Sequence, residues 1–149
     1  MNVEEQARTY FGQHYNCAQS VFLPFAERAG MDVKNALKIA APFGGGLGHG
    51  GQVCGAVSGA LMAIGLTVGS AVYDKERKAH CYQLAREFQT RFRALHGDVT
   101  CPGLLGVDIG DPDALEEARS REVFHALCPN FVGDAARLVE EMLASEADG

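Results

Sequence analysis

Apolar residues recur at three- and four-residue intervals along most of the chain. No stretch alternates with period two for long enough to make a convincing strand. The clearest stripe is Cys81, Leu84, Ala85, Phe88, Phe92 and Leu95. It predicts a helix from about Asp74 to His96 with that face buried and Gly97 as its stop. Val132, Ala135, Val139, Met142 and Leu143 share one face of a last helix, which Cys128-Pro129 is expected to open.

Capping residues supply the other boundaries. Val3 to Phe11 is a short polar helix, and Asn16 caps a helix running to about Ala29 that Pro24 should kink or divide. Asp32 caps another, ending before Pro42. Cys101-Pro102 starts a short turn through Leu105. After a loop from Gly106 to Asp111, Asp111-Pro112 opens a helix to about Leu127. The pattern predicts an all-α fold, a compact helical bundle formed by one domain over residues 1–149.

The middle of the chain is unusual. No Asp, Glu, Lys or Arg lies between Lys38 and Asp74. A glycine-rich loop, Phe43 to Gln52, leads there into a charge-free helix from about Val53 to Gly69. Val53 to Val72 is about long enough to span a bilayer at roughly 1.5 Å per residue. However, Gly55, Ser58, Gly59, Gly65, Thr67, Gly69 and Ser70 dilute its hydrophobicity, and no flanking Trp or basic cluster marks an interface. A central helix packed on all sides by its neighbours is the better account, with no membrane insertion.

Composition narrows the function. An apolar content of 47% with 21% charged residues is that of an ordinary globular protein. A net charge of −6 argues against nucleic-acid binding, which needs a basic face. Charge is unevenly placed: Lys75, Arg77, Lys78, Arg86, Arg91 and Arg93 make one stretch basic, while Asp108 to Asp148 is acidic. The polar, acidic start of the chain is not a secretory signal, so the expected compartment is the cytoplasm. Five cysteines in a reducing compartment point to metal binding or redox catalysis before structural disulfides.

Four of those cysteines fall at predicted helix starts: Cys17, Cys54, Cys101 and Cys128. Free N–H groups and the helix dipole there favour the thiolate, the form that attacks disulfides and binds metals. Cys81 instead lies within a helical stripe and reads as a small core hydrophobe. In the glycine loop, Gly45, Gly46 and Gly48 could bring bare N–H groups to an anion or to the sulfurs of a cluster. A tight connection between closely crossing helices is an equal reading, and Gly55-x-x-x-Gly59 supports it. Gly46-Leu47-Gly48-His49-Gly50-Gly51 meets the dinucleotide pattern only formally, because no strand precedes it and no acidic residue follows about twenty positions on. There is no P-loop, nucleophile elbow, haem-attachment motif or His-Glu-x-x-His site. His49 and His14 lie near Cys54 and Cys17 in sequence, where a surface or packing role is the first expectation.

In order, the chain carries Asn16-Cys17-Ala18-Gln19, Phe43-Gly44-Gly45-Gly46, Cys54-Gly55-Ala56-Val57-Ser58-Gly59, Leu61 to Leu66, Cys101 before Leu104-Leu105-Gly106, and Cys128. This arrangement resembles the C-GCAxxG-C-C family of small bacterial and archaeal proteins, to which redox activity is ascribed. The resemblance covers Asn16 to about Met142, although the family label writes Gly-Cys-Ala where this chain has Cys-Gly-Ala. It implies that Cys17, Cys54, Cys101 and Cys128 are the family cysteines and that Cys81 is extra.

Two mechanisms follow. In the favoured one the four cysteines ligate an iron–sulfur cluster or other metal and pass electrons to a partner protein. In the other, Cys54 attacks and a second cysteine, Cys17 first, resolves a mixed disulfide. A non-redox structural zinc site or metal carrier is a third reading. Gly55, Gly59 and Ala63 would also permit a helix-packed homodimer.

Overall fold

A computed structural model describes residues 1–148. Eight helices account for most of the chain: α1 (Val3–Gly12), α2 (Cys17–Arg28), α3 (Val33–Ala40), α4 (Gly55–Val68), α5 (Lys75–His96), α6 (Cys101–Leu105), α7 (Pro112–Ser120) and α8 (Val123–Asp148). The fold is all-α, and the only β pairing among the described residues is an isolated bridge between Val53 and Thr100.

Local chemistry sets most helix starts. Asn2 and Asn16 each form a capping box, with Glu5 and Gln19 respectively. Asp32, Asp74, Thr100 and Asp111 each accept a backbone N–H from the first turn of the helix they precede. Gly97, in the left-handed region, ends α5 as expected.

The charge-free helix α4 packs against α2, α5 and α8, and its Ala56, Val57, Ala60, Ala63 and Ile64 are buried. Its 14 residues make it roughly 21 Å long, short of a bilayer core. No helix among the described residues is long and apolar enough to cross a membrane. Around α4 the core is closed by Val21 of α2, by Phe88 and Phe92 of α5, which stack on one another, and by Val132 and Val139 of α8.

Four expectations are corrected. The helix opened by Pro112 ends at Ser120, not near Leu127, because Glu122 takes φ +54° and breaks it. The last helix therefore begins at Val123, and Cys128 lies inside it rather than at its start. Pro129 removes one helical hydrogen bond, but Phe131 and Val132 bury against the core and hold the helix through it. Pro24 likewise sits buried within α2 without dividing it. Leu95 is half exposed, so the buried stripe of α5 stops at Phe92.

The glycine loop is more ordered than a loop. After a 3-10 turn, Ala41–Phe43, the five residues Gly45 to His49 all have φ between 61° and 68°. Gly48 N–H donates to the Gly44 carbonyl at 2.9 Å, closing a left-handed helical turn. Left-handed helix costs roughly 1–2 kcal/mol for each residue bearing a Cβ. Leu47 and His49 carry that strain, while the glycines between them make the turn accessible.

Candidate redox site: four cysteines around one cavity

Three helix starts meet at one end of α4. Cys17 is the first residue of α2, Cys54 caps α4, and Cys101 begins α6. The Val53–Thr100 bridge joins the last two: Cys54 N–H donates to the Val99 carbonyl at 2.8 Å, and Cys101 N–H to the Gln52 carbonyl at 2.9 Å. Both cysteines flank the bridged pair, so their side chains leave the same face as diagonal neighbours. Asp98 steadies this segment, accepting from Val99 N–H at 2.6 Å and from Thr100 N–H at 3.2 Å. Those N–H donors hold its carboxyl below the usual carboxylate range.

Cys17 reaches the same place through the crossing of α2 and α4. A Cβ at Gly55 would stand 2.3 Å from Cys17 Sγ, and one at Gly59 would stand 2.5 Å from the Ala18 carbonyl oxygen. Only glycine lets the helices approach this closely. Cys54 is thus a neighbour of Cys101 across the bridge and of Cys17 across the helix crossing. All five cysteines are free thiols.

Cys128 lines, with these three, a cavity of about 160 Å³. That is close to the volume of an engineered protein cavity that takes benzene. Apolar side chains, among them Phe11, Leu104, Phe124 and Phe131, make up much of its wall, with Asn16, Gly45 and His49. The structure thus brings together all four sequence-predicted cysteines. Gly45 lines the cavity, and Gly46 packs against it, where a Cβ would be 3.2 Å from Cys101 Cβ. Gly48 is exposed and turned away; its backbone shapes the turn instead. His14 is exposed and does not line the cavity.

The electrostatics reverse one expectation. Helix starts favour the thiolate, and the N–H groups of Gly45 and Ala18 do act that way on Cys17, as that of Ala56 does on Cys54. These are approaches rather than full caps, since Cys54 accepts no side-chain capping bond. Neighbouring thiols and burial outweigh them. Contact with Cys54, then burial, pushes Cys17 well up, and contact with Cys101 together with burial pushes Cys54 up to about 12. Burial, then the charge of Cys17, pushes Cys128 up to about 12. The low-pKa thiolate expected from helix position is therefore absent from these three in the bare protein, because a buried charge costs more than a helix end returns. His49 is pushed down, by burial and then by Arg119.

A family model described as "Putative redox-active protein (C_GCAxxG_C_C)" matches residues 15–142. The chain belongs to the C_GCAxxG_C_C family. The match takes in every cysteine of the cavity and both glycines of the crossing. No curated protein and no solved structure matches the chain. In this C_GCAxxG_C_C protein, sequence reasoning missed the cavity's aromatic wall and the roles of Asp98 and Thr100. Thr100 before Cys101-Pro102 was a readable cap signal; the convergence of Phe11, Phe124 and Phe131 left no local trace.

Proposed function

We propose that the four cysteines form one electron-transfer centre in which their thiolates hold an iron–sulfur or other metal cluster. The observation that carries this reading is the meeting of four cysteines around one cavity of about 160 Å³ that is too apolar for bare thiolates. The backbone N–H groups of Gly45 and Ala18 favour negative charge on Cys17, and that of Ala56 favours it on Cys54. Here the charge lacks a counterion, which a bound cation would supply.

The donor set fits a soft metal. Among the described residues no three His, Cys, Asp or Glu side chains converge to hold a single ion. A cluster, whose several metals each take their own thiolate, draws instead on sulfurs spaced around a cavity. Cys17, Cys54, Cys101 and Cys128 would be its ligands. When bound, the cluster supplies one-electron uptake and release. Gly45, Ala18 and Ala56 direct their N–H groups at the sulfurs, and the aromatic wall excludes water. Electrons would pass to or from a partner protein, and a reducing compartment such as the cytoplasm would keep the thiols ready.

The test is purification of the full chain without oxygen, followed by iron and acid-labile sulfide analysis and absorption spectroscopy. A coloured protein with both elements is expected. A colourless protein with all five thiols titratable would overturn the reading.

One observation favours a second reading. Cys54 is a diagonal neighbour of Cys101 across the bridge and lies at the helix crossing that brings Cys17 to the same cavity. In this reading one of those pairs forms a disulfide, two thiols giving up two protons and two electrons to a disulfide acceptor. Loss of two mass units confined to one of those pairs after exposure to oxidised glutathione would support it.

A further inference from the structure

His49 is held, at the edge of the cysteine cavity, in a backbone conformation that its own side chain disfavours. Its φ is +61°, in a turn where glycine or asparagine would sit with less strain. The position achieves a placement of the ring. That ring tilts against Phe124, with centroids 6.4 Å apart. Its edge overlies Gly45, where a Cβ would come within 2.2 Å of His49 Cδ2 and 2.9 Å of Nε2. Gly45 and Phe124 both line the cavity, while His49 itself is exposed. His49 lines the cavity too, so an exposed ring forms part of the cavity wall at its edge. Strain retained at such a place points to function.

We propose that His49 is the gate of the cysteine cavity: its ring, braced by Phe124 and seated over Gly45, sets the size of what reaches the buried sulfurs of Cys17, Cys54 and Cys101. Metal ions, sulfide and small neutral reagents pass, whereas a protein disulfide or a bulky thiol does not. The proposal stands whether the sulfurs hold a cluster or exchange as disulfides, because it concerns access to the thiols alone.

It is tested on the full chain, reduced and metal-free, without oxygen. Iodoacetamide and a maleimide bearing a polyethylene glycol chain are the two probes, and alkylation is timed at each cysteine by peptide mass spectrometry. Cys81, beside Tyr73 and Tyr82 and away from the cavity, is the internal reference. His49→Gly keeps the positive φ and removes the ring. It is expected to raise the bulky reagent's rate at the buried Cys17, Cys54 and Cys101 about tenfold relative to Cys81, with a smaller rise for iodoacetamide. His49→Phe is expected to keep the wild-type ratio. Equal ratios in wild type and His49→Gly would overturn the gate, as would a His49→Phe protein as reactive as His49→Gly. Unfolding is distinguishable because it exposes Cys81 as well. Phe124→Ala, which withdraws the brace and leaves the turn intact, is expected to raise the same ratio; an unchanged ratio there also counts against the gate.

Discussion

Gly55 faces the sulfur of Cys17, with room for no atom between the backbone of α4 and that thiol: a Cβ there would lie 2.3 Å from Sγ. Four residues on, Gly59 meets the backbone of Ala18 in the same way. The hexapeptide Cys54 to Gly59 is thus a helix-crossing device. Its glycines let α4 settle on α2, and its cysteine is delivered to the thiol of the other helix.

Alanine at either glycine should therefore do more than destabilise. Gly59→Ala presses on backbone, which cannot rotate away, and overpacking of this kind costs about 1–3 kcal/mol. Thermal denaturation should show a fall of about 2–4 °C per kcal/mol for a chain of this size. Gly55→Ala should in addition displace Cys17 and separate it from Cys54, read as a lower yield of any Cys17–Cys54 cross-link. A Gly59→Ala protein as stable as the parent would contradict the crossing geometry.

Cys54 neighbours both Cys17 and Cys101, so its removal should be felt at a distance. In Cys54→Ala the largest influence raising Cys17 disappears, and Cys17 should ionise at lower pH. Thiolate absorbance near 240 nm or alkylation rate against pH measures this. The corresponding Cys81→Ala protein should leave the Cys17 curve in place, since Cys81 lies outside the cavity.

Alkaline pH should destabilise the metal-free protein. Cys54 and Cys128 are raised from an ordinary 9.0 to about 12 on folding, so the native state binds those protons more tightly than the unfolded chain. That stabilisation is complete below the unfolded value and is lost as pH rises through the folded one. The slope is at most about 1.4 kcal/mol per pH unit for each thiol. Urea midpoints measured near pH 7 and near pH 10.5 should fall accordingly in the parent, and fall less in Cys128→Ala. A flat profile in the parent would show that the thiols are not raised.

The left-handed turn offers a gain instead of a loss. Leu47 has φ +66° and is 45% exposed, so it carries strain and packs little. Leu47→Gly should stabilise the protein by about 1 kcal/mol, seen as a small upward shift in Tm. If it destabilises, Leu47 packs in a way its exposure does not reveal.

Most of the helical plan was legible in the residues. Asn16, Asp32, Asp74 and Gly97 mark helix ends because a cap is settled by a few adjacent atoms, and all four lie where the sequence placed them. The division of cysteines was legible too: Cys17, Cys54, Cys101 and Cys128 line one cavity and Cys81 does not.

Other features were decided only by packing. Cys128 lies within α8 because Phe131 and Val132 anchor the helix across Pro129, against the local preference to break there. Leu95 lost its place in the core because the packed face of α5 continues from Phe92 to His96, whose ring lies 4.9 Å from that of Phe131. The thiols' protonation turned on the same distinction. A helix start is a local property and favours the thiolate, but burial and contact between cysteines dozens of residues apart exist only after folding, and they are the stronger effects. Sequence alone determined where the helices begin and which cysteines belong together. Tertiary structure decided that those cysteines line one cavity, how burial acts on their thiols, and that a strained His49 lies beside them.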